Sequence, residues 1–417
     1  MASRIEVLLH KRVIMPAPSS VYIDDSVDTN RIAQGVVLHP GCRIMGESTL
    51  IMDGAVLGQE APVTLENCQV GPYVALKGGS FRHATFLAHA SMGSGAHVRE
   101  GTILEEYASG AHSVGLKQTI LFPFVTLGSL INFCDCLMAG GTSRRNHSEV
   151  GSSYIHFNYT PNQDKATPSL LGDVPEGVML RQNPIFLGGQ GGLVGPCRLG
   201  FGTVVAAGCI VRKDELRKNR FLYDQPGATI NRPFHPNLYA SVSKIIRHNV
   251  TYIAHLFALR QWYLHVRSLF ARSPLEDGLH RGLLEKVDMA IQERLNRFRQ
   301  FSEKMPLSVS IHQKLHGGDG SSSLVRQGSE LSERWTEVEG VFRSYLKEFH
   351  ATQETAAFLE AAGKFVGEHG ADYLKAIQAL GSGAAETGTR WLAGIVSEIE
   401  HAIYAVIPSS SPTSRKT

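Results

Sequence analysis

The chain has 417 residues, 43% hydrophobic and 19% charged, which is enough apolar content for a large packed core and too much for a disordered chain. A net charge of +3 gives no electrostatic footprint for nucleic acid. No run reaches the ~18 uncharged apolar residues of a membrane span, and the opening "MASRIEVLLHKRVIMPAPSS" lacks the apolar stretch of a secretory signal.

Residues 1–35 are a lead-in without an obvious repeat. The six cysteines, Cys42, Cys68, Cys134, Cys136, Cys197 and Cys209, contain no CxxC pair and read as buried, reduced thiols of a cytoplasmic protein. From 36 to 230 the chain repeats a short phrase, as in "VVLHPGCRIMG", "QVGPYVALKGG" and "LVGPCRLGFGTVVAAGCIVRKD". Val194, Leu199, Val205 and Val211 recur every five or six residues, with Gly195, Gly200 and Gly208 between them. One aliphatic residue per six, with a small residue at each corner, predicts a parallel β-helix in which each coil buries its apolar row only against its neighbours. Cys134 and Cys136 are expected on one side of a strand, packed in the core. "GGTSRRNHSE" at 140–149 sets Arg144 and Arg145 beside His147, either as a phosphate grip for a nucleotide or coenzyme A or as a solvated corner. "HFNYTPNQDKATPS", 156–169, then breaks the repeat with a polar loop, the kind of interruption where binding residues concentrate. "GGQGG" at 188–192 lacks the strand and helix context of a dinucleotide loop and reads as corners.

At Asn237 the period changes. Leu238, Val242, Ile245, Ile246, Val250, Ile253, Leu256 and Phe257 recur at three- and four-residue steps, which predicts an amphipathic helix running towards Ser273-Pro274. A second helix is expected over 276–304, ended by Pro306. Further helices are expected over 330–350, 354–368, 371–380 and 386–406, with a flexible linker at 314–328 and a disordered tail at 408–417. The spacings of His248, His255 and His265 do not make a metal pair. The chain thus divides into a β-helix and an all-α helical domain over 235–407, the latter a candidate surface for a protein partner.

"EVGSSYIHFNYTPNQDKATPSLLGDV" and "FLGGQGGLVGPCRLGFGTVVAAGCIVRKD" resemble coils of the bifunctional UDP-N-acetylglucosamine pyrophosphorylase/glucosamine-1-phosphate N-acetyltransferase family, over roughly residues 95–214. The resemblance implies a left-handed prism, homotrimers with sites between protomers, a sugar phosphate or nucleotide sugar as ligand, acetyl-CoA as co-substrate and no metal. It places the sugar-phosphate site on Arg99, Lys117, Asn158, Tyr159 and Lys165, with cations for the phosphate and the amide for sugar hydroxyls. Acetyl-CoA would lie near Gly189 and Ala207. The family's catalytic His, in "G-H-L-T-Y", falls here in "GSLIN", so Ser129 replaces the His and Asn132 the Tyr, while Glu149 stands for an Asn of the next coil. His147 and His156 are the nearby substitutes for a proton acceptor, or else polar side chains of the loop and prism surface. Only about 35 residues precede the repeats, so the pyrophosphorylase activity is not expected of this chain. Two other classes fit: a non-catalytic nucleotide-sugar binder or scaffold, and a zinc carbonic-anhydrase-like prism. For the latter, His83, His89, His97, His112 and His147 are available, but Ser152 stands where a paired His is needed.

Overall fold

The computed structural model describes residues 3–223, 231, 233–316, 322–347, 353–369 and 372–412. Between the Ile14–Val37 bridge and Phe221–Leu222 the chain winds as parallel coils. Val37 pairs with Val56 and Val56 with Ala75, nineteen residues per coil, and Ser109 pairs with Thr126 after seventeen. Three strand segments per coil build three faces, as the six-residue period predicts. The first face runs from Tyr22–Ile23 through Ala96–Val98 to Ile210–Val211, and the second from Leu50–Ile51 through Thr102–Leu104 to Arg198–Leu199. The third is the ten-stranded sheet from Val37–Leu38 to Phe221–Leu222. Leu38, Leu57, Leu76, Met92, Leu127, Val150, Leu187 and Val205 of the third face are buried in one row, each coil capping the next. The inward residue near 194 is Leu193, which is fully buried, while Val194 turns partly outward. The spacing Leu193, Leu199, Val205, Val211 is then a strict six.

The corners turn on residues in the left-handed region. Between the second and third faces Tyr73, His89, Tyr107 and Phe124 have φ of 57°, 62°, 59° and 71°, and their rings stack with centroids 5.0, 4.6 and 6.0 Å apart. Left-handed backbone costs an L-residue ~1 kcal/mol or more, which ring stacking offsets. Between the first and second faces the long strands Gly115–Leu121 and Asn132–Met138 bend at Gln118 (φ 49°) and Asp135 (φ 61°). That bend breaks the alternation expected for Cys134 and Cys136. Cys134 is half-buried on the first face and Cys136 is fully buried beneath the second. Three insertions leave the coils: a hairpin of Gly141–Ser143 and Asn146–His147 and a segment 172–185 carrying the short helix Val174–Gly177, both at the second-to-third corner, and the loop 158–168 at the first-to-second corner.

Among the described residues the helices are α1 Arg4–His10, α2 Val174–Gly177, α3 Val242–His265, α4 Pro274–Leu315, α5 Ser323–Glu333, α6 Trp335–Lys347, α7 Gln353–His369, α8 Tyr373–Ala379 and α9 Ser382–Val406. Helix α4 does not stop at Pro306 but runs through it for 42 residues. A mid-helix proline removes one backbone hydrogen bond; here Phe301, Ser302, Met305, Ser308 and Val309 are buried around it, so tertiary packing outweighs the local cost. The single helix expected over 330–350 is two, divided at Arg334, the cap of α5. Of the expected linker, 317–321 lie outside the described residues, while Val325 and Gln327 are buried on α5. Of the expected tail, 413–417 lie outside them, and Pro408–Ser410 form a 3-10 turn held by the Ser409 N–H donating to Glu330 Oε2 at 2.9 Å.

The helical half packs onto the prism. Helix α4 lies on strands Leu50–Ile51, Gln69–Val70, Ala84–Phe86 and Thr102–Leu104 of the second face, and α3 lies on Ser169–Leu171. Gly278 and Gly282, one turn apart on α4, allow the close approach. A methyl group at Gly278 would fall 2.5 Å from Leu50 Cδ1, and one at Gly282 would fall 2.6 Å from Gln69 Oε1. Helix α3 is buried nearly all round, with His248, Asn249 and His255 among its covered residues, so prism and helices share one core. At the seam, Arg267 makes ion pairs with both Glu105 and Glu106, its guanidinium 3.3 Å from the centre of the Tyr373 ring. Tyr263 donates to Glu105 Oε1 at 2.6 Å. No helix among the described residues is long and apolar enough to cross a membrane.

Candidate functional site

The first face carries a depression of about 530 Å³ lined by His97, Arg99, Ser113, Asn132, Cys134 and Ile155 among others. Strand pairing explains the grouping. Gly115, Asn132 and Ile155 sit side by side on successive coils, and Lys117 sits beside Cys134. Arg99 follows the strand Ala96–Val98, is exposed, and contacts the Cys134 thiol, which burial pushes up in pKa. Lys117 Nζ is 2.8 Å from Glu100 Oε1, so its charge is partly answered within the protein.

One edge of this face is the third-to-first corner, where one polar or small residue arrives per coil. Ser129 Oγ is 2.9 Å from His112 Nδ1, and the Ser129 N–H donates to Ser152 Oγ at 3.1 Å. The ladder continues with Gln190 N–H to Ser152 O at 2.8 Å and Gly208 N–H to Gly189 O at 2.9 Å. Gly188 leaves no room for a side chain, since a Cβ there would meet Ala207 N at 2.3 Å. Ser129, Gly189 and Ala207 therefore share one edge. His112, one coil before Ser129, stands beside the position where the resemblance expects the histidine. In the sequence His112 stands out only as a possible zinc ligand, because its contact with Ser129 joins coils seventeen residues apart.

The other edge is the loop. Asn158 Nδ2 donates to Asp135 Oδ2 at 3.2 Å, which places it at the first-to-second corner. Tyr159 is 69% exposed, and Lys165 is exposed with φ 52°. Asp164, buried, holds the turn by accepting from Thr160 Oγ1 at 2.6 Å and the Ala166 N–H at 3.0 Å. The helical domain clamps the whole loop. Arg294 Nη2 donates to Asp135 Oδ1 at 2.7 Å and Nη1 to Lys165 O at 3.4 Å. Asn249 Nδ2 donates to Ala166 O at 3.0 Å, Lys304 Nζ to Asn162 O at 2.5 Å, and the Asn237 N–H to Asn162 Oδ1 at 2.8 Å.

Four predicted residues, His147, His156, Arg144 and Arg145, lie elsewhere. His156 is 3% exposed inside the prism. Its Nδ1–H donates to Cys134 O, and its Nε2 accepts from Ser169 Oγ at 2.8 Å. Ser169 Oγ accepts in turn from the Cys197 N–H at 3.1 Å. Both ring nitrogens are thus occupied, and burial brings the pKa down to about 4. His147 sits on the hairpin at the second-to-third corner, its Nδ1 3.0 Å from Arg144 O and its Nε2 3.8 Å from Glu149 Oε2. Arg144 and Arg145 share that hairpin, on a different corner of the prism from Arg99 and Lys117. Among the described residues no three His, Cys, Asp or Glu side chains converge as metal ligands would.

The closed histidines carry a pH prediction. Burial brings His255 to about 3, and its Nδ1 accepts from the Val174 N–H at 3.4 Å. Above about pH 6.5 both states keep these rings neutral. As pH falls, the unfolded chain binds the protons first, so stability is lost from pH 6.5 down to about 4, by roughly 3 kcal/mol for His156 alone. Urea unfolding at pH 7.5 and 5 should show this loss. His156→Gln, which keeps a donor and an acceptor without titrating, should lose less over the same interval.

No family model matches the chain. It is 28% identical over 208 residues to the bifunctional protein GlmU of Pelobacter propionicus, covering 50% of this chain and 40% of that protein. The bifunctional protein GlmU of a Thermotoga species is 26% identical over 212 residues, and that of Clavibacter sepedonicus 27% over 197. This is a hexapeptide-repeat β-helix protein. The hexapeptide-repeat chain spans about two fifths of the length of the curated relatives it matches.

Proposed function

We propose that the chain transfers an acyl group from acetyl-CoA to an amine of a sugar phosphate or nucleotide sugar, at the first face between Ser129 and the loop. The contact between His112 and Ser129 carries this reading. In the tautomer whose Nδ1–H donates to Ser129 Oγ, the Nε2 of His112 takes the amine proton. The amine nitrogen then attacks the thioester carbonyl, the C–S bond breaks, and the coenzyme A thiolate leaves, receiving that proton. Arg99 and Lys117 hold the phosphate, Asn158, Tyr159 and Lys165 frame the sugar, and the acyl donor lies along the edge at Gly189 and Ala207. The homotrimer of the resemblance belongs to the same proposal. The protein's own helices cover the second face, so such a trimer would use the first and third faces.

A second reading, a nucleotide-sugar-binding protein without catalysis, is favoured by the pairing of Lys117 with Glu100 and of Asn158 with Asp135. Release of free coenzyme A from acetyl-CoA and glucosamine-1-phosphate separates the two. Transfer should appear with the native protein and fall about 100-fold or more in His112→Ala. Equal rates in His112→Ala would remove His112 from the chemistry. No release with any amino sugar phosphate would sink the transferase reading, and the binder is then sought as a sugar nucleotide retained by the purified protein, by mass spectrometry.

A further inference from the structure

A second cavity of about 530 Å³ lies away from the first face, where the second-to-third corner of the prism, the hairpin and the helical half meet. Its volume falls within the roughly 300–1,000 Å³ typical of small-molecule sites. Three separate parts of the chain wall it. The prism gives the edges of the stacked Tyr107 and Phe124, α4 and the segment before it give Leu279 and Phe270, and α8 gives Tyr373. Gln378 Nε2 donates to Thr142 O at 2.6 Å and ties α8 to the hairpin, closing one side.

The charges around the cavity are nearly all answered. Arg267 is taken by Glu105 and Glu106, and Lys375 Nζ is 3.0 Å from Asp372 Oδ2. Glu276 Oε2 accepts from the Arg272 N–H at 2.9 Å, in the first turn of α4 where the helix dipole favours a carboxylate. Arg144 is the exception. Its guanidinium lies 5.5 Å from the centre of the Tyr107 ring at the mouth, and among the described residues it has no carboxylate partner. The other charged groups of this aromatic chamber are engaged within the protein, Glu276 by a backbone N–H and the two carboxylates Glu105 and Glu106 by Arg267, which leaves Arg144 at the opening as the group to receive an anionic substituent on a flat apolar body.

We propose that this cavity binds a small aromatic monoanion, with the ring between Tyr107, Phe124, Phe270 and Leu279 and the anionic group on Arg144. The site is built from residues outside the acyl-transfer site and does not depend on that reading. Its position on the seam gives a ligand there contacts with both prism and helices, so its binding should also stabilise the assembled fold.

The probe is 1-anilinonaphthalene-8-sulfonate, a flat aromatic monosulfonate, titrated against the full chain by fluorescence and calorimetry. One saturable site per chain is expected. Arg144→Ala should weaken it about tenfold, equivalent to ~1.4 kcal/mol, without moving the melting temperature of the free protein. Arg145→Ala, whose side chain does not line the cavity, should leave it unchanged. Leu279→Trp, which fills the chamber, should abolish it. Dye binding that survives Arg144→Ala unchanged, or that Arg145→Ala weakens as much, overturns the assignment. The absence of any saturable site overturns it as well. Were Leu279→Trp to misfold, the contrast between the two arginines decides the matter alone.

Discussion

Replacing Arg294 with alanine is expected to destabilise the protein by about 3–5 kcal/mol, the usual consequence of stranding one partner of a buried ion pair. Arg294 on α4 is 1% exposed and Asp135 5% exposed. The guanidinium binds Asp135 Oδ1 at 2.7 Å, while Asp135 Oδ2 accepts from Asn158 at 3.2 Å. Removing Arg294 leaves that carboxylate without its cation and frees the Lys165 carbonyl. The loop 158–168 should loosen, seen as faster amide exchange at Thr160–Ala166 than in the rest of the prism. Asp135→Asn in the same chain should recover part of the loss, because it removes the stranded charge. Arg294→Lys should restore less than the charge alone suggests, since an ammonium cannot make the forked contact. A loss under ~1 kcal/mol with unchanged exchange would show that the loop stands without α4.

Arg267→Met should also cost about 3–5 kcal/mol at neutral pH, and the deficit should shrink in acid. Burial already holds the Glu105 carboxyl above its usual range, and the Arg267 charge pulls against that rise. Without the guanidinium, two adjacent buried carboxylates face each other, and the folded-state pKa of Glu105 rises further. A carboxyl whose folded pKa lies above its unfolded value weakens the fold above that pKa, and the effect fades as pH falls through it. Chemical unfolding of wild type and Arg267→Met at pH 8 and pH 5.5 should therefore give the larger difference at pH 8. The same difference at both pH values would mean that lost packing against Tyr373, rather than charge, sets the cost.

Much of the fold is legible in the residues because a β-helix is nearly one-dimensional. Leu199, Val205 and Val211 can be placed without knowing anything beyond the next coil, since each packs only on its own kind one turn away. The slip from Leu193 to Val194 is the limit of that reading, because strand alternation moves a residue from core to surface in one step. The change of period at Asn237 marks the helical half equally well. Pro306 misleads because a local rule for ending helices yields to the burial of Met305 and Val309 around it.

The candidate site is legible only in part, for the same physical reason. Asn158, Tyr159 and Lys165 stand out because they are contiguous in a loop that breaks a repeat. His112 does not, because its partner Ser129 is brought to it by the winding of one coil. His156 looks available in sequence and is closed inside the prism, since burial depends on which face its strand presents. The coil, its corners, the interrupting loop and the helical half are all written in the residues, because they follow from short-range period and turn chemistry. That α3 and α4 cover the second face and clamp the loop through Arg294, and that a cavity opens beneath Arg144, emerges only from long-range packing. Such contacts join residues more than a hundred positions apart, and no local pattern encodes which distant side chain completes a buried charge.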